Sequence, residues 1–220
     1  GTIMSAKLSI LIIEDEKNIC DFIAAALMNQ DYRVFKSYSG MDGLSQITSR
    51  CPDILLLDLG LPDMDGTDII RKVRKWSAMP IIVISARTLE NEKVLALDLG
   101  ADDYITKPFG TSELLARIRT AVRHLTRINA TNSTSHIFRA SGLVIDFDRR
   151  RITVHEQEVH LTQVEYKIVS MLANNSGKVI TYDALISHVW GPYADDNNRI
   201  LRVNMANIRK KLGSVPGRNT

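Results

Sequence analysis

Residues 54–66 read ILLLDLGLPDMDG, and the fold turns on the first five of them. An apolar run this short is far from spanning a bilayer, and it closes on a carboxylate, so it reads as a buried strand, 54–58, with Asp58 at its carboxyl end. Outward from it the same texture repeats. Further strands are expected at 9–13, 32–35, 81–85 and 104–106. Between the first two, Ile19, Phe22, Ile23, Ala26 and Leu27 recur at three-to-four spacing and mark a helix, and similar patterns occupy 40–48, 67–76, 90–99 and 112–125. Strand and helix alternating five times imply an α/β, doubly wound parallel sheet covered on both faces, with functional groups collected at the carboxyl ends of the strands.

A chain of 220 residues accommodates two domains of ordinary size. With 45% hydrophobic and 24% charged residues, the composition is that of a globular protein and excludes a disordered one. No apolar stretch is long enough for a membrane span and no charged-then-apolar leader is visible, so a cytoplasmic location without a membrane partner is expected. Gly1-Thr2-Ile3, ahead of Met4, is set aside. Cys20 and Cys51 lie in hydrophobic segments without CxxC spacing and read as small core residues, and the five histidines have no ligand spacing. Charge becomes informative once divided. Residues 1–123 hold 15 Lys+Arg against 17 Asp+Glu, a net −2, while 124–220 hold 13 against 8, a net +5. A surface for an acidic partner belongs to the second half.

Residues 126–135, TRINATNSTS, lack periodicity and read as a linker, giving domains at 7–125 and 137–220 with 126–136 between them. Beyond it come short strands expected at 137–140, 143–146, 151–154 and 159–161. Thr162 is a candidate N-cap with Glu165 completing a capping box, and further helices are expected at 182–190 and 198–212. The last reads NRILRVNMANIRKKL. Ile200, Leu201, Val203, Ile208 and Leu212 supply its apolar side, and Arg199, Arg202, Asn204, Asn207, Arg209, Lys210 and Lys211 its polar, cationic one. Arg and Asn read guanine and adenine edges, and Lys and Arg hold phosphates, so a basic helix preceded by two others reads as a recognition helix for double-stranded DNA.

Glu14 and Asp15 close the first strand, Asp58 the third, Ser85 the fourth, and Lys107 follows the fifth. A parallel sheet brings these ends into one pocket. Like charges at such range need a cation to stay ionised together, and an all-oxygen ligand set favours a hard ion, Mg²⁺. Beside two cations, the Asp58 carboxylate can attack a phosphoryl group and form an acyl phosphate. One acidic residue alone is more often a cap or a solvated charge; the constellation reverses that weighting.

The set Glu14-Asp15, Asp58 in LLLDLGLPDMDG, Ser85 in VISAR, and Tyr104 with Lys107-Pro108 in GADDYITKPF resembles the receiver domains of two-component response regulators, over essentially all of 8–124. The resemblance implies a flavodoxin-like receiver in which Asp58 accepts phosphate from a sensor histidine kinase. Asp15, Asp58 and the Gly60 carbonyl would hold Mg²⁺, with Glu14 helping through water, and Lys107, held by a cis bond to Pro108, would pair with phosphoryl oxygens. Ser85 would donate to the phosphoryl group and let Tyr104 turn inward. A haloacid dehalogenase type of phosphatase would need a second Asp two residues after the nucleophile; that position is Gly60, so the acyl phosphate should persist.

The second half is similar to the winged-helix output domain of the OmpR/PhoB class, through EVHLTQVEYKIVSML, GKVITYDALISHVWG and RVNMANIRKKL. That class implies a phosphorylation-dependent homodimer through Lys93, Leu97, Asp102, Asp103, Glu113, Ala116 and Arg117, with Lys93 facing Glu113 and Asp103 facing Arg117 across the two-fold axis. It also implies an RNA polymerase contact at 191–198. Members end in a β-hairpin wing, which GSVPGRNT does not provide. Finer likeness in DLGLPD, RKWSAMPIIVISAR and VWGP points to the potassium-responsive Kdp regulators and hence to a potassium-transport operon.

Overall fold

A computed structural model of the chain describes residues 7–131, 137–191 and 198–213, with the backbone alone for 126–131. The chain divides into two units, one of them Leu8–Leu125, with the residues from Thr126 onward in the other.

The first unit alternates β1 (Ser9–Ile13), α1 (Lys17–Asn29), β2 (Arg33–Ser37), α2 (Gly40–Arg50), β3 (Ile54–Leu57), α3 (Gly66–Arg74), β4 (Ile81–Ser85), α4 (Glu90–Asp98), β5 (Asp103–Thr106) and α5 (Thr111–Thr131). Every pairing is parallel, in the order β2-β1-β3-β4-β5. Alternation along each strand divides the core. Ile10, Ile12, Ile54, Leu56, Ile82 and Ile84 pack with Cys20, Ile23 and Leu27 of α1 and Leu114 and Ile118 of α5. Leu11, Ile13, Leu55, Leu57, Ile81 and Val83 pack with Ile47 of α2, Ile69, Ile70 and Val73 of α3, and Ala96 of α4. Both faces are covered, which is why these strands are apolar without interruption. Each such side chain contributes about 1.5–3 kcal/mol by leaving water. Cys20 and Cys51 are both buried, and no disulfide joins them.

Several boundaries shift by one or two residues from expectation, and one shifts by six. β2 starts at Arg33 and reaches Ser37, because Asp31 takes a left-handed φ of 66° and the Tyr32 amide still bonds to the Leu27 carbonyl of α1. α5 runs to Thr131, six residues into the stretch expected to be linker. Residues 126–131 contain neither Gly nor Pro, so a helix already nucleated simply propagates through them.

In the second unit β6 (Ile137–Ala140), β7 (Leu143–Asp146), β8 (Arg151–Val154) and β9 (Gln157–Val159) form an antiparallel sheet, followed by α6 (Gln163–Asn174), α7 (Tyr182–Trp190) and α8 (Arg199–Leu212). Here β9 replaces the strand expected at 159–161. His155 and Glu156 both have positive φ, 48° and 68°, and make a two-residue turn that starts the pairing at once, Val154 opposite Gln157. Gly142, at φ 86°, lies in the turn between β6 and β7, and a Cβ there would lie 2.5 Å from the His155 ring. The capping box at α6 forms: the Glu165 amide donates to Thr162 Oγ1, and the Thr162 amide to Glu165 Oε1. Ile145, Ile152, Ile168, Leu185, Val189, Leu201 and Ile208 form the buried centre.

Candidate functional site

The acidic pocket is built by the last bonds of the sheet. Glu14, Asp58 and Lys107 each stand one residue beyond a strand, yet each amide still donates to a neighbouring strand, to Ser37, Ile13 and Ser85 carbonyls respectively, all at 2.9 Å. Their side chains are thereby aimed from fixed backbone. Glu14, Asp15 and Asp58 each offer a carboxylate oxygen, and these lie within 4.8 Å of one another. Lys107 Nζ donates to Glu14 Oε2 at 2.7 Å and to Asp58 Oδ2 at 3.3 Å, and the Lys107-Pro108 bond is cis. The Gly60 amide donates to Asp58 Oδ1 at 3.2 Å and fixes the carboxylate plane.

Burial, with the Asp58 charge adding to it, pushes the Glu14 carboxyl up to about 7 against the opposing hydrogen bond from Lys107. Burial works against the Lys107 ammonium, but the Glu14 hydrogen bond and the Asp58 charge outweigh it and hold its pKa above the ordinary lysine value. Three carboxylates facing one ammonium leave an excess of negative charge among oxygen donors, which is the donor set a hard divalent cation requires.

The other acids of the 54–66 stretch have different tasks. Asp63 accepts from the Gly40 and Met41 amides, at 2.7 and 2.9 Å, and so caps α2 from a distance. Asp65 caps α3 through the Thr67 amide at 2.9 Å. Gly66 is there because α3 starts hard against the acceptor strand: a Cβ would lie 2.6 Å from the Asp58 carbonyl oxygen and 2.7 Å from Leu59 Cα.

Ser85 is buried, and its Oγ accepts from the Arg87 amide at 3.1 Å. The half-buried Tyr104 donates its hydroxyl to the Arg87 carbonyl at 2.8 Å. The Arg87 guanidinium in turn donates to Asp65 Oδ2 at 3.1 Å. Arg87 thus joins the fourth-strand loop to the acceptor loop. Sequence reasoning passed over it, although its place two residues after Ser85 in VISAR is the signal that could have marked it.

The residues expected at a dimer surface are partly engaged within the chain. Arg117 pairs with Asp103 at 2.9 Å and with Glu113 at 3.2 Å within the chain. Asp102 is held by Arg74 at 2.9 Å and by the Ile81 amide at 2.8 Å, because it closes the entry to β4. Lys93 Nζ lies 5.8 Å from the Tyr104 ring centroid. Leu97 and Ala116 are exposed.

On α8, Leu201 and Ile208 are buried, but Ile200 and Val203, expected on that apolar side, are 54% and 53% exposed. At about 100° per residue they point away from the stripe that Leu201 and Ile208 define. Arg199, Arg202, Asn207, Arg209 and Lys210 are exposed. Asn204 donates its amide to the Ile200 carbonyl at 2.9 Å. Lys211 is exposed and also engaged: its Nζ sits 2.5 and 2.9 Å from the two oxygens of buried Glu165 and ties α8 to the start of α6. Of the segment expected to meet RNA polymerase, 191–198, residues 192–197 lie outside the described residues, as do 214–220, where a wing was sought. Among the described residues no helix is long and apolar enough to cross a membrane.

A parallel five-stranded sheet with this pocket, joined to a small sheet and three helices, defines a response regulator. Residues 10–119 match the response regulator receiver domain, and 156–220 match the transcriptional regulatory protein C-terminal domain. The chain belongs to this family of DNA-binding transcription regulators, in its OmpR/PhoB type, and the family is not one of enzymes. It is 45% identical over 210 residues to the KDP operon transcriptional regulatory protein KdpE of Escherichia coli, covering 96% of this chain and 92% of that protein. It is 40% identical over 207 residues to the transcriptional regulatory protein KdpE of Mycobacterium tuberculosis, covering 94% and 91%. Among solved structures, a CheY-like receiver domain protein from Methanospirillum hungatei superposes with a TM-score of 0.54 at 29% identity, over 56% of this chain and 99% of that one. Receiver domains bind Mg²⁺ at the acidic pocket, and the oxygen cluster of Glu14, Asp15 and Asp58 fits such an ion.

Proposed function

We propose that this protein is a phosphorylation-switched transcription regulator in which Asp58 accepts the phosphoryl group from a sensor histidine kinase and α8 reads DNA. The observation that carries the reading is Lys107 Nζ at 3.3 Å from Asp58 Oδ2, beside a three-carboxylate cluster. An Asp58 oxygen attacks phosphorus as the bond to the kinase imidazole nitrogen breaks, leaving an acyl phosphate and returning the electron pair to the imidazole. Lys107 neutralises charge on the transferring oxygens. Mg²⁺, held by Asp15, Asp58 and the Gly60 carbonyl with Glu14 behind, would supply further neutralisation there. Position 60 offers no side chain to activate water, so the acyl phosphate is suited to persist as a signal.

Transfer changes what Ser85 and Tyr104 face, and the surface carrying Lys93, Leu97, Asp103, Glu113, Ala116 and Arg117 is the one that would pair two copies. Pairing places two output domains on half-sites about 34–36 Å apart, one DNA turn. The likeness to the two KdpE proteins supports a potassium-transport operon as the target, with RNA polymerase as partner and a cytoplasmic location. The test is Asp58→Asn with a small phosphodonor and Mg²⁺. The unsubstituted chain takes up one phosphate and the variant none; full incorporation in the variant would reject Asp58 as the acceptor. Footprinting of the phosphorylated protein upstream of potassium-transport genes then tests the target.

A further inference from the structure

The exposed face of α8 is not uniformly charged. Leu201 and Ile208 fix its buried side. At about 100° per residue, Val203 falls on the far side, in a stripe with Arg199, Ala206, Asn207 and Lys210, and Ile200 lies beside Asn207. Val203 and Ile200 are each more than half exposed, and Ala206 and Asn207 are exposed with them. Two β-branched side chains facing water contribute nothing to the domain core. They call for an occupant that offers small apolar groups between rows of negative charge, because Arg199 and Lys210 flank Val203 on the same face and Arg202 and Arg209 lie about 100–120° round the helix from it. The major groove of duplex DNA has that character wherever a thymine C5 methyl lies between the two phosphate backbones. An apolar protein surface would match Val203 and Ile200 but not the cations carried on the same helix.

We infer, on the reading of α8 given under Proposed function, that Val203 and Ile200 are specificity-determining residues that pack against thymine C5 methyls, while Asn207 takes the N6 and N7 edge of an adenine. Val203 and Asn207 are one helical turn apart, about 6 Å along the axis, against about 3.4 Å per base-pair step. The pair therefore spans about two successive A·T pairs, with Ile200 reaching a methyl beside them. Phosphate contacts from the surrounding Arg and Lys set the register but carry no sequence information.

The test uses the whole chain with Mg²⁺ and a small phosphodonor, and duplexes enriched by it from a random pool. Runs of A·T pairs are expected at the centre of each enriched half-site. Replacing their thymines by uracil removes the methyl and nothing else, and should weaken binding about fourfold per methyl in contact. Val203→Ala should bind the thymine duplex less tightly and lose its sensitivity to uracil at one position, and Ile200→Ala at another. Because both side chains are exposed, neither variant disturbs the core. Equal affinity for thymine and uracil duplexes, with sequence-selective binding intact, would overturn the inference and leave the DNA-binding reading standing. A uracil penalty that persists unchanged in both variants would also overturn it. A pool from which no sequence is enriched, with no salt-dependent binding, would remove the DNA-binding reading and this inference together.

Discussion

The Tyr104 hydroxyl donates to the Arg87 carbonyl at 2.8 Å, and the Arg87 amide donates to Ser85 Oγ at 3.1 Å. One residue therefore carries both ends of a path from the phosphate pocket to the fifth strand. Tyr104→Phe removes only the donor and keeps the ring over which Lys93 sits. Asp58 labelling by a small phosphodonor should be unchanged, while dimerisation on phosphorylation, read by sedimentation, should weaken several-fold. Undiminished dimerisation would show that the hydroxyl carries none of the signal.

Glu14 supplies a pH dependence. Its folded value, about 7, lies above the unfolded value near 4.5, so its contribution to stability is fully present below about 4.5 and lost as pH rises through about 7. In metal-free protein, Glu14→Gln should raise the urea midpoint more at pH 8 than at pH 5. Mg²⁺ affinity should rise with pH across the same window, because the ion needs the carboxylate ionised. A Glu14→Gln effect of equal size at both pH values would contradict the elevated value.

Glu165 is buried and already caps α6, and its carboxylate is paired by Lys211, whose side chain is 37% exposed. Lys211→Met leaves that charge without its cation and should cost about 1–3 kcal/mol, seen as a lower denaturation midpoint of the C-terminal unit. The salt dependence of DNA binding should hardly change. Arg209→Met should do the reverse, reducing the salt slope by about 1 with little loss of stability. Salt-titrated binding isotherms for the two variants, beside their melting curves, separate the roles.

Gly66→Ala puts a methyl 2.6 Å from the Asp58 carbonyl oxygen and 2.7 Å from Leu59 Cα, both backbone atoms that cannot step aside. Overpacking of this kind costs about 1–3 kcal/mol. It should also displace the acceptor loop, so phosphorylation by a small donor should slow along with the fall in urea midpoint. An alanine variant that labels at the original rate would mean that the loop yields without moving Asp58.

The receiver fold and its pocket were legible because two periodicities coincide. Apolar strands buried on both faces, such as Ile54–Leu57, have no competing solution, and a parallel sheet must bring Glu14, Asp58 and Lys107 to one edge. Thr162 and Glu165 could be read as a capping box because that contact is local in sequence. The length of α5 was not legible for the complementary reason: polar composition argued for coil, but nothing in residues 126–131 stops a helix already formed.

Sequence alone determined which residue types meet at the carboxyl ends of the strands, since strand order and alternation leave little freedom there. Only the tertiary structure decided how like residues divide their tasks. Asp58 faces Lys107 while Asp63 and Asp65 cap helices, Lys211 reaches from the surface to buried Glu165, and Val203 faces water while Leu201 does not. Each distinction depends on a partner far away in the chain, brought within a few ångströms only when the elements pack.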